Sequence, residues 1–375
     1  MKLLVDARSL GEKPSGIGIY LYKFVKYLSK KSISIILVTD VCKSEEILEL
    51  KSNKIPIIEL GFKCSKQWKI INYFKFIQTT IHQVKPNIFW EVNNLIPIKI
   101  INPYGKIFVT IHDIFPRTHK LYYSRIYSTY FHFALKNTLK IVDGILYNSK
   151  DTKENVESTY KEARCIKNFI TYIIVNKPGQ KIHDVKGYFF YIGNCETRKG
   201  TDILILAYQK YLEMGGQRQL YIAGSIREEL IQKMIQKTEQ NIESFKYLGY
   251  LTQKEKEKYL SECSCFIFPS IAEGFGIPIL EAMNYERPVI ASNLPIFEEL
   301  VQNNIQYFNI KGNDENKINH LAKKMYEFDS MEYKIDYSRY ETICDKFQEN
   351  MLGEKLLEYW IQEIESEYGK EKNSI

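Results

Sequence analysis

Two glutamates eight positions apart, Glu273 and Glu281, bracket Gly274-Phe-Gly-Ile-Pro-Ile-Leu. Before them, Cys265-Phe-Ile-Phe-Pro269 has the length and character of a buried strand. After them, Ile277 to Tyr285 carries apolar residues at helical spacing, with Pro278 in the first turn where a missing N–H costs nothing. The stretch therefore reads as strand, glycine loop, helix. A helix start preceded by Gly274 and Gly276 offers uncovered backbone N–H groups and a partial positive charge, which is a seat for phosphate. An ionised carboxylate accepts hydrogen bonds and donates none, so beside a phosphate it should face sugar hydroxyls, at roughly 1.5–3 kcal/mol per charge-assisted bond. Phosphate at the amides and polyols at the carboxylates describe a nucleotide sugar. A Glu beside a tight turn is the plainer alternative for either residue taken alone.

A diphosphate also needs cations, and Arg198-Lys199 stand between a strand at Tyr188-Phe-Phe-Tyr-Ile-Gly193 and a helix from Thr201 to Leu212. Arg offers a fork matched to phosphate oxygens and Lys a compact charge, although such a pair on a loop is also ordinary solvated surface. His112, in Thr110-Ile-His-Asp113, falls at the carboxyl end of an apolar strand, where open α/β sheets bind ligands. A satisfied structural imidazole is the competing reading. Asn93-Asn94 and Asn148-Ser149 are polar pairs where apolar strands stop, fit either to bind acceptor hydroxyls or to cap the next helix. Gly16-Ile-Gly18 makes a strand-to-helix glycine turn, but Leu21 stands where a dinucleotide fingerprint needs a small residue.

These residues need a scaffold, and 375 residues suffice for two α/β domains with separate cores. In the first half, strands are expected at Leu3–Asp6, Ile33–Thr39, Ile88–Val92, Ile107–Ile111 and Gly144–Tyr147. Helices are expected at Ile17–Leu28, Gln67–Val84, Ser124–Ile141 and Lys150–Tyr160. The alternation implies parallel sheets. A turn-rich, polar run at 177–186 reads as the linker between an N-terminal domain, 1–176, and a C-terminal domain, 187–354. Tyr337–Glu367 is helical by period with a break near Gly353, and a final helix of about 355–375 is expected to return to the first domain through Tyr359-Trp360.

The net charge of +7 divides unevenly. Residues 1–175 hold 27 Lys and Arg against 14 Asp and Glu, and the remainder hold 25 against 31. A basic half suggests an anionic partner such as a membrane surface, or merely a bias toward solvated Lys. Gln67–Val84 and its approach mix Trp68, Tyr73, Phe74 and Phe76 with Lys66, Lys69 and Lys75, and Ser124–Lys140 is similar with Arg125, Lys136 and Lys140. Either helix could lie on an anionic bilayer or pack its rings onto a sheet. No nucleic-acid module is recognisable. No apolar run reaches 18 residues, so neither a signal peptide nor a membrane anchor is expected. Seven scattered cysteines without Cys-x-x-Cys read as reduced cytoplasmic thiols, with no zinc site.

Glu273-Gly-Phe-Gly-Ile-Pro-Ile-Leu-Glu281 resembles the Glu-x(7)-Glu signature of the retaining family-4 glycosyltransferases. The resemblance implies the GT-B fold, two Rossmann-like α/β domains facing a central cleft. It also implies that Glu273 lies by the donor sugar, Glu281 holds the ribose diol, and Gly274, Phe275, Gly276 and Ile277 cradle the diphosphate. Arg198 and Lys199 would match the family's phosphate loop, His112 would contact the transferred sugar, and Gly16 and Gly18 would line the cleft opposite the donor. Phe245-Lys-Tyr-Leu-Gly-Tyr250 resembles the step whose backbone borders the nucleotide base. Two positions depart from the pattern: Asn194 stands where many members carry a basic residue, and Glu286 where the helix after Glu281 usually ends on Gly.

The implied activity is transfer of a hexose, with a lean to mannose, from a nucleotide diphosphate sugar to a glycan or lipid-linked acceptor in surface polysaccharide assembly. Asp-x-Asp occurs nowhere, so neither a metal nor another cofactor is expected. The protein is expected in the cytoplasm, with possible peripheral membrane contact through its basic domain. A silent sugar-nucleotide-binding subunit, an epimerase and a phosphorylase are the alternatives.

Overall fold

The computed structural model describes residues 1–64, 67–178, 185–330 and 335–372. The chain divides into two units, Met1–Ile174 with Phe347–Ile375, and Val175–Lys346. Of the expected linker, residues 179–184 lie outside the described residues, as do Lys66 and the side chain of Trp68.

In the first unit, short apolar runs make the strands β1 (Lys2–Asp6), β2 (Ser34–Thr39), β3 (Ile57–Glu59), β4 (Ile88–Glu91), β5 (Lys106–Ile111), β6 (Gly144–Tyr147) and β7 (Lys167–Ile170). The intervening helices are α1 (Gly16–Leu28), α2 (Glu45–Ser52), α3 (Gln67–Val84), the single turn α4 (Phe115–Thr118), α5 (Arg125–Ile141) and α6 (Lys150–Thr159). All strands are parallel, in the order β3-β2-β1-β4-β5-β6-β7. β4, β5 and β6 are buried along their whole length, as central strands covered on both faces must be.

Both aromatic helices bury side chains in the core. α3 buries Tyr73, Phe74, Ile77 and Ile81 in the core. α5 buries Phe131, Leu135 and Leu139 but leaves Ile126 and Phe133 in solvent.

The second unit runs β8 (Tyr188–Ile192), α7 (Thr201–Glu213), β9 (Gln219–Ala223), α8 (Glu229–Asn241), β10 (Phe245–Tyr247), α9 (Gln253–Glu262) and β11 (Cys265–Phe268). It continues through α10 (Ile277–Asn284), β12 (Val289–Ser292), α11 (Pro295–Val301), β13 (Gln306–Phe308), α12 (Asp314–Ser330) and α13 (Tyr337–Asp345). Its sheet, also parallel, is ordered β10-β9-β8-β11-β12-β13.

The last helix, α14 (Glu349–Lys372), belongs to the first unit. Trp360 is fully buried, 5.1 Å from Trp90, and Tyr359 stacks on Phe169. Glu363 ties the helix down through Lys106 Nζ at 3.0 Å and Lys167 Nζ at 2.9 Å. The expected break at Gly353 does not occur. The helices part between Asp345 and Glu349 instead, and Gly353 lies inside α14 against Tyr27 of α1, where a Cβ would come within 2.2 Å of the ring. Close approach, and not helix breaking, requires glycine there. The return accordingly begins at Phe347, ahead of the expected 355. No helix among the described residues is long and apolar enough to cross a membrane.

Candidate active site

β8 and β11 are neighbours at the point where the strand order of the second unit reverses. The crevice beyond the carboxyl ends of such a pair is where open α/β sheets bind ligands. Here the loops meet backbone to backbone. Gly200, at φ +67°, would drive a Cβ to 2.0 Å from Pro269 O, and Gly224, at φ +130°, to 1.7 Å from Gly193 O. Ile271 N donates to Arg198 O at 2.9 Å, locking the Arg198-Lys199 loop to the Glu273 loop.

The two cations are engaged differently from a pair facing outward. Lys199 Nζ lies 2.5 Å from Glu273 Oε1, which also accepts from Ser270 Oγ at 2.7 Å. Arg198 sends Nη2 to Glu196 Oε1 at 2.6 Å and Nη1 to Ala272 O at 2.9 Å. A guanidinium used in this way is a strut between loops, and its donors are already engaged within the protein.

Glu281, in the second turn of α10, pairs with Lys256 Nζ of α9 at 2.7 Å. Gly276 precedes α10 at φ +103°, a conformation that suits glycine, and no side chain caps the helix there. The helix start at Ile277 thus carries no side-chain cap, and Phe275 in the loop before it is buried. Tyr250 follows Gly249 and is 68% exposed.

Asn194 is exposed, and its Oδ1 accepts from Arg227 Nε at 3.4 Å. Arg227 is held there because its N–H donates to Cys195 O at 3.0 Å. It brings a cation beside the very position where the sequence departs from the family pattern. Nothing in the linear sequence signals this, because Arg227 comes from a different loop. The same holds for Lys256, one cation in a helix of alternating charge, and for Ser270.

In the first unit, His112 is buried at the end of β5 with Nε2 3.1 Å from Val92 O, so Nε2 carries the hydrogen and Nδ1 the lone pair. Burial pushes its pKa down to about 4, outweighing the hydrogen bond to Val92, and the ring is neutral at neutral pH. Tyr20 of α1 meets it edge-on at 4.9 Å. Asn94 Oδ1 accepts from His112 N at 2.7 Å, and Thr152 Oγ1 donates to His112 O at 3.2 Å.

Asn93 caps no helix, since β5 follows; its N–H and Nδ2 donate to Glu91 Oε1 at 2.8 and 3.2 Å. In the other pair the cap is Ser149, whose Oγ accepts from Thr152 N at 3.0 Å, while Asn148 is buried beside it. Gly18 sits in the first turn of α1, where a Cβ would fall 2.3 Å from Ser9 O, whereas Gly16 faces open space. Among the described residues no three His, Cys, Asp or Glu side chains converge as a metal site.

Residues 175–341 match the family model described as glycosyl transferases group 1. The chain is 24% identical over 319 residues to the O-antigen chain mannosyltransferase RfbU of Salmonella typhimurium, spanning 82% of this chain and 86% of that one. It is 32% identical over 119 residues to O-antigen chain mannosyltransferase B of Escherichia coli, 31% of each chain. Among solved structures it is similar to Anabaena HepE in complex with UDP and glucose, with a TM-score of 0.72 and 15% identity over 96% of this chain and all of that one. The architecture is GT-B.

Proposed function

Because residues 175–341 match the family model of the group 1 glycosyl transferases, we propose that the protein is a retaining hexosyltransferase. In this reading it moves a sugar, by preference mannose, from a nucleotide diphosphate donor to a glycan or lipid-linked acceptor in surface polysaccharide assembly. The observation that carries it is the set at the β8/β11 crevice: Lys199 paired with Glu273, an uncapped glycine-led helix start at Ile277, and Glu281 one helical turn beyond. The preference for mannose rests on the similarity to RfbU.

The anomeric C–O bond to the diphosphate breaks while a C–O bond to the acceptor hydroxyl forms on the same face, and the departing phosphate oxygen takes the hydroxyl proton. Lys199, Arg227 and the N–H end of α10 oppose the charge on the leaving diphosphate, and the guanidinium charge of Arg198 adds to them. Preorganised groups of this kind are worth on the order of 3 kcal/mol each in the transition state. Glu281 receives the ribose hydroxyls. His112 accepts a sugar hydroxyl at Nδ1, which its neutral state permits. This chemistry needs no metal or other cofactor. The enzyme works in the cytoplasm, with peripheral contact to the inner membrane face through the first unit.

Thermal shift against UDP-, GDP-, dTDP- and ADP-sugars tests the reading. A ligand at 100 times its Kd adds about 2.7 kcal/mol. Stabilisation by one base class, lost in Glu281→Ala, is expected; no response to any of the four overturns it.

A further inference from the structure

The first unit has a reversal point of its own, between β1 and β4, and a charged group stands at it that the donor chemistry does not use. Val5 pairs with Trp90 in register, so the next residues along, Asp6 and Glu91, stand side by side at the carboxyl ends of the two strands. Both are fully buried. Asp6 Oδ1 accepts from Tyr73 OH at 2.7 Å and from Arg8 N at 2.9 Å, and Glu91 Oε1 accepts from Asn93. Among the described residues neither Asp6 Oδ2 nor Glu91 Oε2 makes a hydrogen bond to a third group.

Burial, and then the charge of Asp6, push the pKa of Glu91 well above the carboxylate range, so Glu91 keeps a proton that it can share with Asp6. The charged or titratable groups facing Glu91 are Asp6 and Arg8 from the end of β1 and Tyr73 from α3. Arg8 Nη2 lies 3.5 Å from Asp6 Oδ2 and 4.0 Å from Glu91 Oε1, and its guanidinium sits 4.9 and 5.3 Å over the rings of Tyr73 and Phe74. A cation gripped by carboxyls and packed on two rings has little freedom left, yet 16% of the side chain stays exposed. Tyr130 of α5 is close enough for the charge of Arg8 to act on its phenol.

With one proton held between the two carboxyls, the three groups sum to no net charge. A neutral cluster that still presents N–H donors suits the hydroxyls of a sugar and has no excess charge with which to hold a phosphate. We propose that Arg8 binds the hydroxyl groups of the acceptor saccharide at the β1/β4 crevice, and that Asp6 and Glu91 are positioning residues holding its guanidinium through one shared proton. The proposal rests on the transferase reading above.

The experiment uses the full chain, the nucleotide sugar that stabilises it, and a lipid extract of the source membranes as the acceptor preparation. Arg8→Ala is expected to raise half-saturation for the extract at least tenfold, while leaving KM for the donor and the nucleotide thermal shift unchanged. Arg8→Lys should fall between, and it carries the comparison if the alanine variant does not fold. Glu91→Gln keeps a donor toward Asp6, so it should bind acceptor normally at neutral pH. It should also abolish the loss of acceptor affinity that the wild type shows as rising pH ionises Glu91. Equal effects of Arg8→Ala on donor and acceptor, or a Glu91→Gln profile that follows the wild type, overturn the proposal. A wild-type protein that is stabilised by a nucleotide sugar but transfers nothing overturns the transferase reading and this subsite with it, an outcome distinct from an Arg8 variant that merely behaves as wild type.

Discussion

Lys199 and Glu273 are 74 positions apart in the chain and 2.5 Å apart in the fold, with side chains only 16% and 9% exposed. A pair so sheltered is costly to break from one side, because the survivor is left charged and poorly solvated. Lys199→Met is expected to cost about 2–3 kcal/mol of stability and to slow transfer about a hundredfold or more. Adding Glu273→Met should regain most of the stability and none of the rate. Chemical denaturation of the two single variants and the double, alongside transfer rates, separates the structural share from the catalytic one. Recovery of rate in the double variant would remove Lys199 from the chemistry.

His112 gives the protein an acid-sensitive element with a definite sign. Its folded pKa of about 4 lies below the ordinary 6.5, so between those values the unfolded chain binds the proton that the folded one refuses. Stability then rises with pH, and the contribution is lost as pH falls from about 6.5 through 4, by about 3 kcal/mol at most. His112→Asn should flatten that part of the curve. Denaturation midpoints between pH 4 and 7 check it, and an unchanged slope would mean that other groups carry the acid sensitivity.

Much of this scaffold is legible in the sequence, for physical reasons that also mark where reading stops. Gly144–Tyr147 and Gln67–Val84 are found to the residue because a buried strand must be apolar throughout and a sheet-packed helix must repeat its apolar face. β3, with three residues, and α2, with two buried side chains, carry too little of either pattern to declare themselves. Gly353 misleads because a glycine chosen for contact with Tyr27 looks the same in sequence as one chosen to end a helix. At the candidate site the glycine loop and both glutamates can be read from spacing alone. Arg227 beside Asn194 and Lys256 on Glu281 cannot, since each pairing exists only once the chain has folded.

Glu286 illustrates a departure whose cost the fold discloses. It follows α10 at φ +60°, the left-handed position that ends many helices on glycine. A side chain there costs about 1 kcal/mol, so Glu286→Gly should stabilise the second unit, raising Tm by about 2–4 °C with donor binding unchanged. Calorimetry reads this directly; a lower Tm would mean that the glutamate makes contacts worth more than the strain.

The remaining prediction concerns the surface of the first unit. Leu121 is 99% exposed, Ile126 79% and Phe133 65%, although these are the side chains a water-soluble surface normally hides. Ile126 and Phe133 are seven positions apart on α5 and so share one face. From Ile114 to Val142 the chain carries Arg117, Lys120, Arg125, Lys136 and Lys140 and no Asp or Glu at all. Apolar side chains in solvent, on a stretch whose own charges are all cationic, match the interface of an anionic bilayer, in which each exposed Lys or Arg near the surface adds about 1 kcal/mol. Full-length protein is expected to float with phosphatidylglycerol-containing vesicles and not with pure phosphatidylcholine, and to be released by 0.5 M salt. The triple variant Leu121→Asp, Ile126→Asp, Phe133→Asp should stay in the soluble fraction while keeping its nucleotide thermal shift, because none of the three lies at a donor-binding residue. Vesicle binding that survives the triple variant would assign the contact to the diffuse basic charge of residues 1–175 and leave these side chains without a membrane role.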